Sequence, residues 1–106
     1  MSSDVPIRLL LVDDDEAITG GLAPLLAREG FAVDVAADSP GALDRLAGGG
    51  VDIVVLDVMM PGMDGREVLR RLRAAGSAVP VVLLTSVGEA SERARALDEG
   101  ADDYLN

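Results

Sequence analysis

Residues 53–65 have the sequence IVVLDVMMPGMDG, in which four consecutive branched apolar residues are followed at once by Asp57. A strand that is apolar at every position, without alternation, is typical of a parallel sheet with helices on both faces. Runs of the same kind occur at Leu9–Val12 and Val81–Leu84. The sequence therefore predicts an α/β fold built on a parallel sheet.

On either side of these runs, apolar segments alternate with segments in which apolar residues recur every three or four positions, as in a helix. Pro24 lies inside the first helical segment, where it has no N–H to donate to Gly20, so we expect a kink or a local break there. Ser39 is the expected N-cap of the second helix. A parallel sheet that ends on a strand at Leu105 would leave one face covered mainly by the first helix. The pattern predicts five strands, at Ile7–Val12, Ala32–Ala36, Ile53–Leu56, Val81–Leu84 and Tyr104–Leu105, and four helices, around Ile18–Leu26, Ala42–Leu46, Val68–Ala75 and Ala90–Glu99.

The composition excludes several classes of function. The 106 residues are enough for one small domain, and because 49% are hydrophobic but only 2% aromatic, the core must be aliphatic. The absence of cysteine and histidine excludes disulfides, thiolate chemistry and histidine catalysis, so any chemistry must use carboxylates and hydroxyls. A formal charge of −10 with scattered arginines argues against nucleic-acid binding by this chain. The apolar runs are too short to span a membrane, and a cytoplasmic protein is expected.

Carboxylates and hydroxyls follow three of the predicted strands. The first strand ends in the acidic run at 13–16, the third in Asp57, and the fourth in Thr85 and Ser86. These ends converge if strand one lies between strands two and three, with strand four beyond three. Clustered carboxylates repel one another unless a cation lies among them, and Mg²⁺ prefers such oxygen ligands together with phosphate oxygens. The sequence thus points to a magnesium site where an aspartate could accept a phosphoryl group.

Each of these residues also has a simpler interpretation. An acidic run before a helix is more often a solvated turn than a metal site, and Thr85 alone could be an ordinary strand-end hydroxyl. Asp57 is more informative, because a carboxylate at the end of a buried strand is costly unless it is used. Packing alone does not explain polar groups on three neighbouring strand ends.

The chain resembles the receiver domain of bacterial response regulators from about Ile7 to Asn106, which is nearly its whole length. The motifs that carry the resemblance are LLVDDD at 10–15, LDVMMPGMDG at 56–65, LLTS at 83–86 and GADDYL at 100–105. The resemblance implies one receiver domain over 1–106, with the doubly wound, flavodoxin-like or CheY-like fold and a five-stranded parallel sheet in the order 2-1-3-4-5.

The resemblance also implies a role for each motif residue. Asp57 would be the phosphoacceptor, and Mg²⁺ would be held by Asp14, Asp57 and the backbone carbonyl of Met59, with Asp13 acting mainly through water. Thr85 would bond the phosphoryl group and move together with Tyr104, which couples phosphorylation to the face of helix four and strand five. Such a domain assists its own phosphorylation but is a signalling module and not an enzyme.

The implied partners follow from the same likeness. The phosphoryl donor would be a phosphohistidine on a sensor kinase. The ending GADDYL is similar to the OmpR/PhoB type, whose receivers precede a winged-helix DNA-binding domain, so the output would be transcription and any DNA contact would belong to a domain absent from this chain. In that class Arg93, Asp102 and Asp103 would lie on the dimer face of the activated protein.

One departure from the family pattern lies at the end of the sequence. The family has a lysine three residues after the switch tyrosine, which would be position 107, whereas this sequence has no lysine and stops at Asn106. The lysine and the fifth helix are therefore expected to have been cut away. The other explanation is an atypical receiver that cannot switch normally.

Two other functions are compatible with the sequence. Asp13-x-Asp15 resembles the Asp-x-Asp of haloacid-dehalogenase-like phosphotransferases, which use Mg²⁺ and an aspartyl nucleophile on strand one. That family expects a threonine near position 17, where Ala17 stands, and a lysine. The second alternative is an interaction module that works through the face of helix four and strand five without phosphorylation. Phosphoryl labelling on Asp57 would indicate a receiver, and labelling on Asp13 would indicate the phosphotransferase. Normal partner binding by Asp57→Ala would indicate the interaction module.

Overall fold

The computed structural model describes residues 5–58, 65–84 and 100–105, without the side chains of 103–105. The predicted fourth helix, 90–99, lies outside these ranges. The strands are β1 (Arg8–Val12), β2 (Ala32–Ala36), β3 (Ile53–Asp57), β4 (Val81–Leu84) and β5 (Asp103–Leu105), and the helices are α1 (Glu16–Arg28), α2 (Ser39–Ala47) and α3 (Gly65–Ala74).

The strands form one parallel sheet in the order β2-β1-β3-β4-β5. In the centre of the sheet, Leu11 of β1 pairs with Val35 of β2 on one side and with Val55 of β3 on the other. The crossover from β1 to β2 and then back past β1 to β3 is the switch in strand order at which ligands bind in open α/β sheets. The predicted doubly wound α/β fold with a parallel sheet is confirmed.

The two faces of the sheet are covered to different extents. Side chains alternate between faces along a strand, and on one face Val54, Leu56, Val81 and Leu83 are completely buried. Helices α2 and α3 supply the residues that pack against this face: Ala42, Val68, Leu69 and Leu72. On the opposite face the neighbouring residues of β3 and β4 are only partly buried, and α1 contributes no buried residue. Among the described residues, the core is therefore concentrated on the side of α2 and α3.

Two local expectations need correction. The local break expected at Pro24 is not found, since α1 is one helix from Glu16 to Arg28 with Pro24 inside it, and the expected kink stays a prediction. The N-cap of α2 is Asp38 and not Ser39, since the Asp38 carboxylate accepts the Gly41 N–H at 2.7 Å while Ser39 is buried in the first turn. Within the described ranges, no helix has both the length and the apolar character needed to cross a membrane.

Candidate metal centre

The candidate site lies where β1 and β3 end side by side. Val12 of β1 pairs with Leu56 of β3, so the next residue of each strand, Asp13 and Asp57, reaches the same edge of the sheet. Asp14 follows on the loop that leads into α1. The parallel register thus brings together carboxylates that are more than forty positions apart in the sequence.

Three carboxylates meet at this edge. One oxygen each from Asp13, Asp14 and Asp57 lies within 4.8 Å of the other two. Their exposure differs: Asp13 is buried, with 7% of its surface accessible, Asp57 is partly buried and Asp14 is exposed. The group is therefore open to solvent on the Asp14 side and closed on the Asp13 side.

The loop after β1 holds Asp13 in place. The Asp13 N–H donates to the carbonyl oxygen of Ala36 at 3.1 Å, which extends the β1–β2 pairing by one residue. One carboxylate oxygen of Asp13 accepts the N–H of Asp15 at 3.0 Å, and Asp15 in turn caps α1 by accepting the N–H of Ala17 at 2.9 Å. The start of α1 and the orientation of Asp13 therefore depend on the same short loop.

The donor set fits a hard divalent cation. Three carboxylates at this separation repel one another, and a positive ion between them removes that repulsion. Magnesium binds oxygen ligands, usually one or two carboxylates with several waters, and the exposed Asp14 side leaves room for water and for a phosphate oxygen. All three of these ligand atoms are carboxylate oxygens, the ligand type that Mg²⁺ prefers.

Several residues expected at the site fall outside the described ranges. Thr85, Met59 and Arg93 are among them, so their predicted roles stay predictions. Asp57 pairs with Leu84, the residue that directly precedes Thr85 in the chain. The backbone of Tyr104, in β5, pairs with Leu83 of β4, but the side chain of Tyr104 is not described.

The two acidic residues expected on a dimer face are adjacent, with Asp102 directly before β5 and Asp103 as the first residue of β5. The backbone of Asp103 pairs with Val82. One carboxylate oxygen of Asp102 accepts the Val81 N–H at 2.8 Å and the Arg73 guanidinium at 3.2 Å. Asp102 therefore has partners inside the chain, and its contribution to a dimer stays a prediction.

Sequence reasoning missed Arg73 altogether. The arginine is one of four in α3, and nothing in the local pattern separates it from its neighbours. Its main acceptors, the Gly100 carbonyl and the Asp102 carboxylate, lie 27 and 29 positions further along the chain. The contact is not detectable from one sequence, because it depends on how the end of α3 packs beside β4 and β5.

A doubly wound parallel sheet with a carboxylate cluster at the ends of β1 and β3 is the arrangement expected of a receiver domain, and the comparison with family models agrees. The model of the response regulator receiver domain matches residues 9–106. The chain belongs to this family, whose members are signalling domains of two-component systems.

The chain is similar to several particular proteins. It is 48% identical over 101 residues to the response regulator MprA of Mycobacterium sp. strain KMS, a match that covers 95% of this chain and 44% of that protein. Its structure resembles the chemotaxis protein CheY4 of Vibrio cholerae (TM-score 0.89, 27% identity, 95% and 86% of the two chains). It also resembles the BeF3-activated N-terminal receiver domain of Klebsiella pneumoniae RstA (TM-score 0.85, 33% identity, 92% and 83%). The chain spans less than half the length of the curated relatives it matches.

Proposed function

We propose that this domain accepts a phosphoryl group on Asp57 from a sensor histidine kinase in a Mg²⁺-dependent reaction. The observation that carries the proposal is the meeting of Asp13, Asp14 and Asp57 within 4.8 Å at one edge of the sheet. In a member of the receiver family, a carboxylate cluster at the switch in strand order combines a metal site with a nucleophile. The fold alone would not justify this function, because one fold supports many functions and the chemistry belongs to the carboxylate cluster.

Each residue of the site has a proposed role. Asp14, Asp57 and the Met59 carbonyl would bind Mg²⁺, and Asp13 would act through a bound water. When bound, Mg²⁺ supplies charge neutralisation for the phosphoryl oxygens. Thr85 would donate a hydrogen bond to the phosphoryl group after transfer, and Tyr104 would change position with it.

The transfer makes and breaks one bond to phosphorus. A carboxylate oxygen of Asp57 forms the new O–P bond while the P–N bond of the phosphohistidine breaks. The departing imidazole nitrogen keeps the electron pair, so neither partner is oxidised or reduced. The partly buried Asp57 is held at the end of β3 by its pairing with Leu84 of β4, which orients its carboxylate before the donor arrives.

We also propose that residues 1–106 are the receiver part of a longer transcription regulator of the OmpR/PhoB type. The support is that the match covers only 44% of the relative named response regulator MprA. In that protein a lysine at position 107 and a fifth helix would follow β5. The regulator would be cytoplasmic, and its DNA contacts would belong to the additional domain. It would dimerise on activation through a face with Arg93, Asp102 and Asp103.

The phosphoacceptor is tested by incubating the chain with acetyl phosphate and Mg²⁺ and measuring its intact mass. We expect an increase of one phosphoryl group, which chelation of Mg²⁺ prevents. Asp57→Asn should show no increase, because the amide nitrogen cannot replace the attacking carboxylate oxygen. Asp44→Asn is the matched control, since Asp44 is an exposed aspartate of α2, and it should be labelled like the wild type.

Mapping the label to a residue separates the competing functions. A phosphoryl group on Asp13 would contradict the proposal in favour of a hydrolase-like phosphotransferase. A folded, Mg²⁺-binding chain that takes up no phosphoryl group from acetyl phosphate or from any histidine kinase would favour an interaction module that works without phosphorylation.

A further inference from the structure

Gly65, the first residue of α3, lies directly against the main chain of Asp57. A Cβ atom on Gly65 would overlap the Asp57 carbonyl oxygen and would lie 3.0 Å from the Asp57 carbonyl carbon and 3.1 Å from Cγ of Leu56. The Gly65 N–H also donates to the carbonyl oxygen of Val58 at 3.1 Å. The start of α3 therefore rests on the last residues of β3 at a distance that only glycine permits.

The requirement for glycine at this position is steric. Gly65 does not have the positive φ found at Gly30, Gly49, Gly50, Gly76 and Gly100, so an L-residue could adopt its backbone conformation. The atoms that a side chain would meet belong mostly to the main chain of Asp57, which cannot rotate away as a side chain can. A larger residue must displace either α3 or the end of β3.

The end of β3 is also held from its other side. The Val58 N–H donates to the Leu84 carbonyl oxygen at 3.0 Å, and Asp57 pairs with Leu84 in the sheet. The Asp57 main chain is thus enclosed between β4 and the first residue of α3. Any movement forced at Gly65 reaches the Asp57 carboxylate, whose carbon is only two bonds from the Cα of that main chain.

We infer that Gly65 is a positioning residue for the metal and phosphoacceptor site, and this inference rests on the proposed function. Its missing side chain sets the distance of the Asp57 carboxylate from Asp13 and Asp14. Mg²⁺ requires nearly octahedral geometry with oxygens at about 2.0–2.1 Å, whereas Ca²⁺ accepts irregular sets at about 2.3–2.6 Å. A displaced Asp57 therefore weakens Mg²⁺ binding more than Ca²⁺ binding.

The test compares two glycine-to-alanine variants of helices. In Gly65→Ala the added methyl meets the Asp57 main chain, whereas in Gly21→Ala, inside α1, nothing lies within 4 Å of the added Cβ. Calorimetric titration measures the dissociation constants of Mg²⁺ and of Ca²⁺ separately, and circular dichroism verifies the fold. We expect Gly65→Ala to weaken Mg²⁺ by about tenfold or more and Ca²⁺ by about threefold or less, with Gly21→Ala like the wild type.

A general loss of structure would weaken both ions equally, so equal weakening overturns the positioning role, as does unchanged Mg²⁺ affinity. The two proposals fail in different ways. A wild-type chain that neither binds Mg²⁺ nor takes up a phosphoryl group contradicts the proposed function. A wild type that does both, with Gly65→Ala identical to it, contradicts only the inference about Gly65.

A second measurement needs no variant and applies if Gly65→Ala does not fold. Coupling between two sites is reciprocal, so if the Gly65 contact favours Mg²⁺ binding, Mg²⁺ must strengthen that contact by the same factor. Hydrogen exchange of the Gly65 amide, which is bonded to Val58, should slow when Mg²⁺ is added. The Ala75 amide, which is bonded to Arg71 and lies just beyond the other end of α3, is the internal control. Its exchange rate should change only as much as a change in global stability requires. Equal effects at both amides would overturn the inference.

Discussion

At the scale of single residues, Arg73 connects three segments of the chain through its guanidinium group. Nε and Nη2 donate to the Gly100 carbonyl at 3.1 and 2.8 Å, and Nη1 donates to the carbonyls of Ser77 and Val79 at 3.2 and 2.7 Å. A second Nη2 bond reaches Asp102 at 3.2 Å, so all five N–H groups of the side chain are used. One side chain thereby ties the end of α3 to the segments that lead into β4 and β5.

We predict that Arg73→Lys destabilises the domain by about 1–3 kcal/mol. A lysine has three donors on a point charge and cannot reproduce the planar set of five, so at least one partly buried carbonyl loses its partner. Arg71→Lys is the matched control, because Arg71 lies exposed on the same helix, and its effect should stay within about 0.5 kcal/mol. Urea unfolding followed by circular dichroism gives both values. Equal effects of the two substitutions would contradict the role of Arg73.

At the scale of elements, α1 contains a proline that the helix tolerates but does not need. Pro24 lies in the interior of Glu16–Arg28 and has no N–H for the carbonyl of Gly20. By contrast, Pro40 lies in the first turn of α2, where a helix has no internal acceptor for that N–H. The same residue type therefore weakens one helix and suits the other.

We predict opposite outcomes for the same substitution in these two helices. Pro24→Ala should stabilise the domain by about 1–2 kcal/mol, because the restored hydrogen bond exceeds the entropy that proline removes from the unfolded chain. Pro40→Ala should be neutral or should destabilise by about 0.5 kcal/mol, because only the entropy effect applies there. Thermal and urea unfolding of both variants measure the difference. A shift of the same sign and size in both would show that helix position does not matter.

At the scale of the whole molecule, negative charge dominates. The chain has 19 acidic and 9 basic residues, and three of the carboxylates converge on one edge of the sheet. Repulsion among these charges disfavours the compact state, and both salt and a bound cation reduce it. Salt acts by screening everywhere, whereas a cation at the Asp13, Asp14 and Asp57 cluster acts at one place.

We predict that Mg²⁺ stabilises the folded chain beyond what screening supplies. At ten times its dissociation constant, Mg²⁺ should add about 1.4 kcal/mol to the free energy of unfolding, since it binds the assembled cluster and not the unfolded chain. The measurement is thermal unfolding in MgCl₂ and in NaCl at the same ionic strength. The difference between the two salts should disappear in Asp57→Asn. If NaCl stabilises as much as MgCl₂, the cluster does not bind Mg²⁺ specifically.

The elements of this domain were largely predictable from the sequence, because each depends on a local pattern. Ala32–Ala36 and Val81–Leu84 are the strands as predicted, and β3 extends one residue further, to Asp57. The candidate metal ligands were predictable for the same reason: acidic residues that directly follow apolar strand segments must lie at one edge of a parallel sheet. Strand periodicity and strand ends are properties of neighbouring residues, so one sequence is sufficient to predict them.

Other features depend on contacts between distant residues, which only the folded chain brings together. The cap of α2 at Asp38 depends on which of two adjacent polar side chains reaches Gly41. The five bonds of Arg73 and the fit of Gly65 against Asp57 also arise from packing. Local patterns in the sequence are enough to predict which elements form and which strand ends carry the acidic residues. The close approach of α3 to the end of β3 is set by packing in the folded chain, because that distance results from interatomic contact and not from local propensity.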